Sequence, residues 1–415
     1  MTVTSMTVGA VTDTTARLNA KITGTSNVGF AVADNAAMTG ATISGTVVPN
    51  GYGAGTVQIT GLAPNTRYWY RGRDSGVTDT ALTGQFITDP APAGTPTSFV
   101  VGLSGDAGLT PQFWGSSGGA PQRLSRHPIF THLRTKALAE NWRRFIHLGD
   151  ATYYDLGSGA HSLSATAALS QYRDMWTDLF AQTVQAQLYR DVPIVYVWDD
   201  HDIGPNNATS ASPGNANAQL AYRERWPSYT LPAGTGAAPI YHSFQIGRVL
   251  FVVLDTRSAR VTGSTILGTA QKTWLTNLLT TTTAEALVLL SPTPWIGATG
   301  GDTWSGFGAD QTYMGDLLVN NSWIDRMWWV TADMHGNGLA SGATNPLAGF
   351  PMFIVGGLDA DFNSGTRSEF DLYYHGGRAQ YGTLRVDDHG GPIALTATVW
   401  QHTRAKAWHQ ITVTP

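Results

Sequence analysis

Aspartate and histidine recur in this chain at the ends of short apolar runs. Phe99-Val100-Val101-Gly102-Leu103-Ser104 leads into Gly105-Asp106, and Phe145-Ile146-His147-Leu148 into Gly149-Asp150. Ile194-Val195-Tyr196-Val197 leads into Trp198-Asp199-Asp200-His201-Asp202, Leu250-Phe251-Val252-Val253-Leu254 into Asp255, and Trp328-Trp329-Val330-Thr331-Ala332 into Asp333-Met334-His335. Runs of this length, stopped by Gly or Asp, read as fully buried strands. Sites in α/β sheets form at the carboxyl ends of strands, so these acids should meet. Five carboxylates gathered there cannot all stay ionised without positive charge between them. Bound metal ions are the economical source of that charge, and carboxylate and imidazole are their usual donors.

The elements that must position these residues follow from the pattern between the runs. From about residue 97 the apolar runs alternate with helix-compatible stretches at 127–142, 169–189 and 270–279, which argues a layered α/β core. Residues 203–217 are rich in Pro, Gly, Asn and Ser directly after the third acid-bearing strand, and read as an active-site loop. Residues 382–385 and 393–400 look like β-structure added to one edge. Residues 1–88 carry almost no helical signal. There Thr15-Ala16-Arg17-Leu18-Asn19-Ala20-Lys21-Ile22 alternates as a half-buried strand does. The stretch Ile59-Thr60-Gly61-Leu62-Ala63-Pro64-Asn65-Thr66-Arg67-Tyr68-Trp69-Tyr70 resembles the turn and tyrosine corner of fibronectin type III sandwiches. Asp89-Pro90-Ala91-Pro92-Ala93-Gly94-Thr95-Pro96 reads as a linker. The expected plan is therefore a small all-β domain over 1–88, a linker over 89–96, and an α/β catalytic domain over 97–415.

Composition narrows the function. At 415 residues with 42% hydrophobic content the chain is globular. A formal net charge of -4 gives no basic surplus for dedicated nucleic-acid binding. With no cysteine, disulfides, thiolate zinc sites and thiol catalysis are excluded. No apolar run reaches the length of a membrane span. Only 13% of residues are charged, a bias of secreted bacterial proteins, so a secreted or periplasmic location is expected, with any signal peptide already removed.

The ordered strand ends resemble those of the calcineurin-like metallophosphoesterases, and within them the PhoD-like alkaline phosphatase and phosphodiesterase branch, related to purple acid phosphatases. The resemblance rests on Gly105-Asp106-Ala107-Gly108, Gly149-Asp150-Ala151-Thr152-Tyr153, Trp198-Asp199-Asp200-His201-Asp202 with Asn206-Asn207, Asp255-Thr256-Arg257-Ser258, and Asp333-Met334-His335. It covers nearly the whole chain. It implies a four-layer sandwich of two mixed β-sheets flanked by helices, behind the fibronectin III-like domain. It also implies a site of two or more metal ions. Asp150 would bridge the metals. Asp106, His335 and the Tyr153 phenolate would complete the first, and Asp200 and Asp333 would hold the second. Tyr154 competes with Tyr153, which only spacing favours. His201 matches the catalytic histidine that meets the phosphoryl group, oriented by Asp202 or another carboxylate, or else a structural histidine. Arg257 is a candidate phosphate clamp, with a salt bridge to Asp255 or another acid as the alternative. Asn207, or its neighbour Asn206, would reach metal or phosphate.

Two features depart from the family pattern. A cysteine common in the first motif is absent, and Ser291-Pro292-Thr293-Pro294-Trp295 stands where a histidine often follows the strand. Fe3+ at the tyrosinate position, with Ca2+, Mn2+, Mg2+ or Zn2+ beside it, is the expected metal set. The expected reaction is hydrolysis of a small-molecule or lipid phosphate ester, with metal-bound hydroxide attacking phosphorus as in alkaline phosphatases. The rivals are a phosphodiesterase, phospholipase D-type or phosphotriester hydrolase, and more distantly a non-catalytic binding protein. The oligomeric state is not legible from the sequence.

Overall fold

The structure is a computed structural model. It describes residues 3–24, 26–109, 114–117, 120–157, 162–163, 167–296, 302–345, 347–359, 367–402 and 409–413. Each of the five acid-terminated runs forms a strand: Phe99–Ser104, Arg144–Leu148, Ile194–Val197, Val249–Val253 and Met327–Thr331. They divide between two sheets. The first three lie side by side and parallel in a nine-stranded sheet, so Asp106, Asp150, Asp199 and Asp200 all emerge at one edge. The other two belong to a seven-stranded sheet. There Val249–Val253, Ala286–Ser291, Met327–Thr331 and Met352–Val355 run parallel, which brings out Asp255, Asp333 and His335.

Alternation along the strands decides how the sheets stack. Phe251, Val253, Val288, Leu290, Trp328, Val330, Phe353 and Val355 join one apolar cluster with Val101, Leu103, Phe145 and Val195 of the first sheet. The same cluster takes in the helices Ile129–Ala139, Leu169–Ala181 and Thr183–Asp191. The intervening residues Leu250, Val252, Leu287, Leu289 and Trp329 point the other way, onto the helices Gly268–Thr281 and Gly308–Asn320. Helix, sheet, sheet, helix is the result, a mixed α/β fold with its acid-bearing edges adjoining. The 169–189 stretch forms two helices rather than one, because Gln182 between them is extended (φ -72°, ψ 107°). Among the described residues no helix is long and apolar enough to cross a membrane.

The first 88 residues build two small sheets around their own core of Val3, Val8, Leu18, Phe30, Val57 and Tyr70, among others. One of them, Val3–Gly9, Ala16–Ile22 and Ala54–Ile59, forms one end of the nine-stranded sheet, joined to its other strands by a single parallel pairing of Gly9 with Ile194. Buried arginines tie this part to the rest. Arg144 pairs with Asp89 at 2.8 Å, donates to the carbonyl of Val11, and donates to Tyr229 at 2.8 Å. Arg143 donates to the Thr88 carbonyl at 2.8 Å and to Asn65 at 2.7 Å. The segment whose composition reads as a linker is thus pinned at its start. Removing one partner of a buried ion pair strands the other charge, at a cost of about 3–5 kcal/mol. Asp89→Ala should lower stability by that order, read as a reduced urea midpoint; an unchanged midpoint would show that Arg144 needs no carboxylate there.

Candidate metal centre

The strand ends do not simply stop; they turn sharply. Asp106 (φ 63°), Asp150 (φ 49°), Asp333 (φ 68°) and His335 (φ 49°) all adopt the left-handed conformation. Such backbone costs of order 1–3 kcal/mol per residue and persists only where the surroundings over-determine it. Here the turns are sewn together. Ala107 donates its N–H to the Asp150 carbonyl at 2.8 Å, and Leu358 donates to the Gly105 carbonyl at 3.1 Å. Asp202 accepts the N–H groups of Asp150 at 2.7 Å, Ala151 at 3.0 Å and Asp199 at 3.0 Å. Asp359, fully buried, accepts from Gly108 and from Leu109, the latter at 3.3 Å. Burial pushes the Asp202 carboxyl up to about 7 and the Asp359 carboxyl up to about 6.

Three overlapping groups of donor atoms result, each within 4.8 Å: Asp106, Asp150 and His335; Asp150, Asp200 and His201; and Asp199, Asp200 and Asp333. Tyr153 is buried with its hydroxyl 2.9 Å from His335 Nε2. Tyr154 points away and donates to Asp178 at 3.0 Å, so the geometry separates the two tyrosines. Both oxygens of Asp150, Oδ1 of Asp106 and Oδ2 of Asp199 are buried without a hydrogen-bond partner among the described residues. Burial first, then repulsion from neighbouring acids, drives the pKa values of Asp106, Asp150 and Asp333 well above the carboxylate range. Burial and the charges of Asp150 and Asp106 hold the Tyr153 phenol up likewise. Orphaned oxygens and repelling acids in a dry site are what cations relieve, and a mixed set of carboxylate, imidazole and phenol donors suits hard or borderline ions.

The remaining expectations fare unequally. Asp255 does not join the cluster. Its carboxylate accepts from Trp198 Nε1, the N–H groups of Ile240, Arg257 and Ser258, and the Ser258 hydroxyl, at 2.6–3.2 Å. It is a brace, and four acid-bearing strand ends rather than five supply the site. Asp199 joins in its place. Asp202 does not orient His201. Asp155 does, with Oδ2 2.8 Å from Nδ1, and sequence reasoning missed it although it lies only two residues beyond Tyr153. Burial opposes the imidazolium of His201, but the Asp155 hydrogen bond and the Asp200 charge outweigh it and raise its pKa. Arg257 is fully buried; its Nε donates to Asp199, and its Nη2 lies 3.6 Å from Asp200 and 3.5 Å from Asp302. The Arg257 and His201 charges outweigh burial to lower the Asp200 pKa. Asn207 reaches Asp200 through its main-chain N–H at 2.6 Å, while the residue itself is exposed.

Two glycines leave room for this arrangement. At Gly149 (φ 82°) a Cβ would stand 2.5 Å from that of Asp199, and at Gly356 one would stand 2.2 Å from Asp106 Oδ2. The Gly356→Ala protein should therefore fold but bind less metal, as Asp106 is displaced. Metal content by elemental analysis equal to wild type would show that Asp106 is no ligand.

Comparison with known proteins bears on the family and the fold. A family model described as PhoD-like phosphatase matches residues 119–348, more than half of the chain. Purple acid phosphatase 13 of Arabidopsis thaliana is 26% identical over 260 residues, which is 60% of this chain and 42% of that protein, so the chain spans less than half the relative's length. In fold, the structure of PhoD aligns with TM-score 0.76 at 19% identity, over 99% of this chain and 88% of that one. Purple acid phosphatase PPD1 from seeds of yellow lupin (Lupinus luteus) aligns with TM-score 0.67 at 14% identity, over 99% and 74%. By its sequence match and the fold that accompanies it, the chain belongs to the PhoD-like phosphatase family.

Proposed function

We propose that this chain is a phosphoric ester hydrolase working at a site of two or more metal ions. The observation that carries the proposal is the sharing of donors. Asp150 belongs to two of the three donor groups and Asp200 to two, so neighbouring cations would be held by common carboxylates. Asp106, Asp150, His335 and Tyr153 would hold the first ion, and Asp200 and Asp333, with Asp150 and Asp199, the second. Bound metals would neutralise phosphoryl charge and lower the pKa of water. Fe3+ is our assignment at the phenol. The acid-rich second group, with no histidine beyond the Ala286–Ser291 strand, suits Ca2+, Mn2+, Mg2+ or Zn2+.

The chain's own residues supply the rest. His201 is placed to give a proton to the leaving oxygen from Nε2 while Asp155 holds Nδ1. Arg257 serves the acids first, and only its Nη1, which has no hydrogen-bond partner among the described residues, remains for a phosphoryl oxygen. That commitment favours a second reading. A monoester dianion asks for more free positive charge than a diester does, so phosphodiester hydrolysis stands beside alkaline phosphatase-like chemistry. The first 88 residues we read as a fibronectin III-like domain, supported by their two facing sheets and by Tyr68, whose hydroxyl accepts the Ala63 N–H at 2.8 Å. The low charge content supports a location outside the cytoplasm.

Three substitutions test the site. Asp150→Asn should lose most bound metal and nearly all turnover, since an amide supplies no anionic bridge; both metals retained with near wild-type rates would refute the assignment. His201→Ala should keep its metal and slow turnover by about 10²–10⁴, the range for acid–base groups. The loss should shrink for esters with acidic leaving groups. Metal lost together with activity would make His201 a ligand instead, consistent with its nearness to Asp150 and Asp200. Finally, a phenolate on ferric iron absorbs visible light, so the iron-loaded protein should be coloured and Tyr153→Phe colourless. Colour surviving that change would place another ligand on the iron.

A further inference from the structure

One carboxylate holds two of the acid-bearing strand ends at once. Asp202, fully buried, is the third residue of the short helix Asp200–Ile203. Its Oδ2 accepts the N–H of Asp199 at 3.0 Å, as an acid at this position of a helix does for the residue that caps it. The same oxygen accepts the N–H of Asp150 at 2.7 Å, and Oδ1 accepts that of Ala151 at 3.0 Å. Asp150 and Asp199 come from neighbouring strands, Arg144–Leu148 and Ile194–Val197, whose parallel pairing ends at Leu148 opposite Val197. Each acid lies two residues beyond that last pair. A single oxygen thus joins the main chains of two strand ends just where both enter the donor groups.

Where a carboxylate donor points is decided by the main chain that carries it. Asp150 is in the left-handed region (φ 49°), a conformation that relaxes when its surroundings let go. Asp199 is extended and leads straight into Asp200 and His201. Asp202 touches neither Asp150 nor Asp199 through their side chains, so all its oxygens do for these residues is hold their backbones. Resting on the reading of two or more metal ions above, we infer that Asp202 is a positioning residue of the metal centre. By gripping both N–H groups with one oxygen it sets how far the shared carboxylate of Asp150 stands from Asp199 and Asp200, and so how the ions are spaced. Groups that orient metal donors from behind commonly govern affinity by about 10–100-fold.

The test titrates the metal-free full chain with Mn2+ alone by calorimetry. It then reads the loaded protein by electron paramagnetic resonance, in which two Mn2+ sharing a carboxylate are coupled and a lone one is not. Asp202→Asn can still turn its oxygen to Asp150 and Asp199 but then sets an NH2 group against the Ala151 N–H. It should bind Mn2+ about 10–100-fold more weakly than wild type, and the coupled signal should fade. Asp202→Glu keeps the charge and both acceptors and moves them by one methylene. It separates placement from charge, serves where Asp202→Asn does not fold, and should lose affinity by the same order. Asp310→Asn is the comparison for a merely structural carboxylate. Asp310 is also buried and accepts main-chain N–H groups, of Ile266 at 2.8 Å and Leu267 at 3.1 Å, and it pairs with Lys272 at 2.7 Å. That variant should lose stability and keep wild-type Mn2+ affinity. A loss under about tenfold in Asp202→Asn, wild-type affinity in Asp202→Glu, or an equal loss in Asp310→Asn overturns the proposal. So does a doubly loaded Asp202→Asn protein with wild-type coupling. If the wild type takes up one uncoupled ion, the reading of two metals falls, and the same affinity ratio for that ion decides for or against Asp202.

Discussion

Mutual repulsion among buried carboxylates is the constraint on which the rest of this molecule depends. Asp106, Asp150, Asp199, Asp200 and Asp333 converge where two sheets meet, with ligand atoms in each group within 4.8 Å. At such distances each like-charged pair costs roughly 3–4 kcal/mol even at an effective dielectric constant near 20. One buried guanidinium, that of Arg257, answers part of this, against Asp199 and Asp200. It cannot answer all of it, because Asp106 and Asp150 lie with His335 and the Tyr153 hydroxyl and make no ion pair among the described residues. A fold that accepted this concentration of charge without a compensating cation would give up a large share of the 5–15 kcal/mol by which domains are stable.

The scaffold's response is rigidity. Left-handed turns at four of the donor residues would relax if the chain around them were free. They are held by hydrogen bonds from one strand end to the next, by Asp202 gathering three backbone N–H groups, and by Asp359 gathering two. The parallel pairing that sets three acid-bearing ends along one edge is in turn fixed by the apolar filling between the sheets. Packing, pairing and turn geometry therefore serve one requirement, that the acids stay close although they repel.

Much of this was legible in the residues because the signals were local. Apolar runs of four to six with an acid behind them mark the strands and the acids carried at their ends. The contacts that were not legible cross between elements. Nothing within Asp155-Leu156-Gly157 announces a partner 46 positions away, and the sequence offers His201 its neighbour Asp202 or another carboxylate without telling which. Helix geometry turns Asp202 instead toward the N–H groups of the Gly149-Asp150 turn. Nor does the proline-rich stretch after Asp89 reveal that Asp89 itself is buried against Arg144, since composition reports on chain stiffness and not on ion pairs. The pairing of Gly9 with Ile194, which makes an N-terminal sheet continuous with the catalytic one, depends on register between segments 185 positions apart.

Asp255 shows how structural and functional acids part company. In setting it is like Asp150: both follow a buried parallel strand and both are nearly fully buried. What separates them is the accounting of lone pairs. Asp255 receives five hydrogen bonds and has its charge dispersed over backbone and hydroxyl donors. Among the described residues, neither oxygen of Asp150 has a hydrogen-bond partner within normal geometry. A carboxylate so satisfied has nothing left to offer a ligand, whereas one buried and unsatisfied is retained against its desolvation penalty only if something else meets it. The same reasoning sorts Asp202, whose two oxygens both accept backbone N–H groups, with Asp255 as a brace. It also explains why strand-end aspartates recur here in both roles. The edge that exposes backbone N–H groups needing an acceptor is the edge where cations can be held, and each acid's role depends on whether its oxygens face the chain or the space between the sheets.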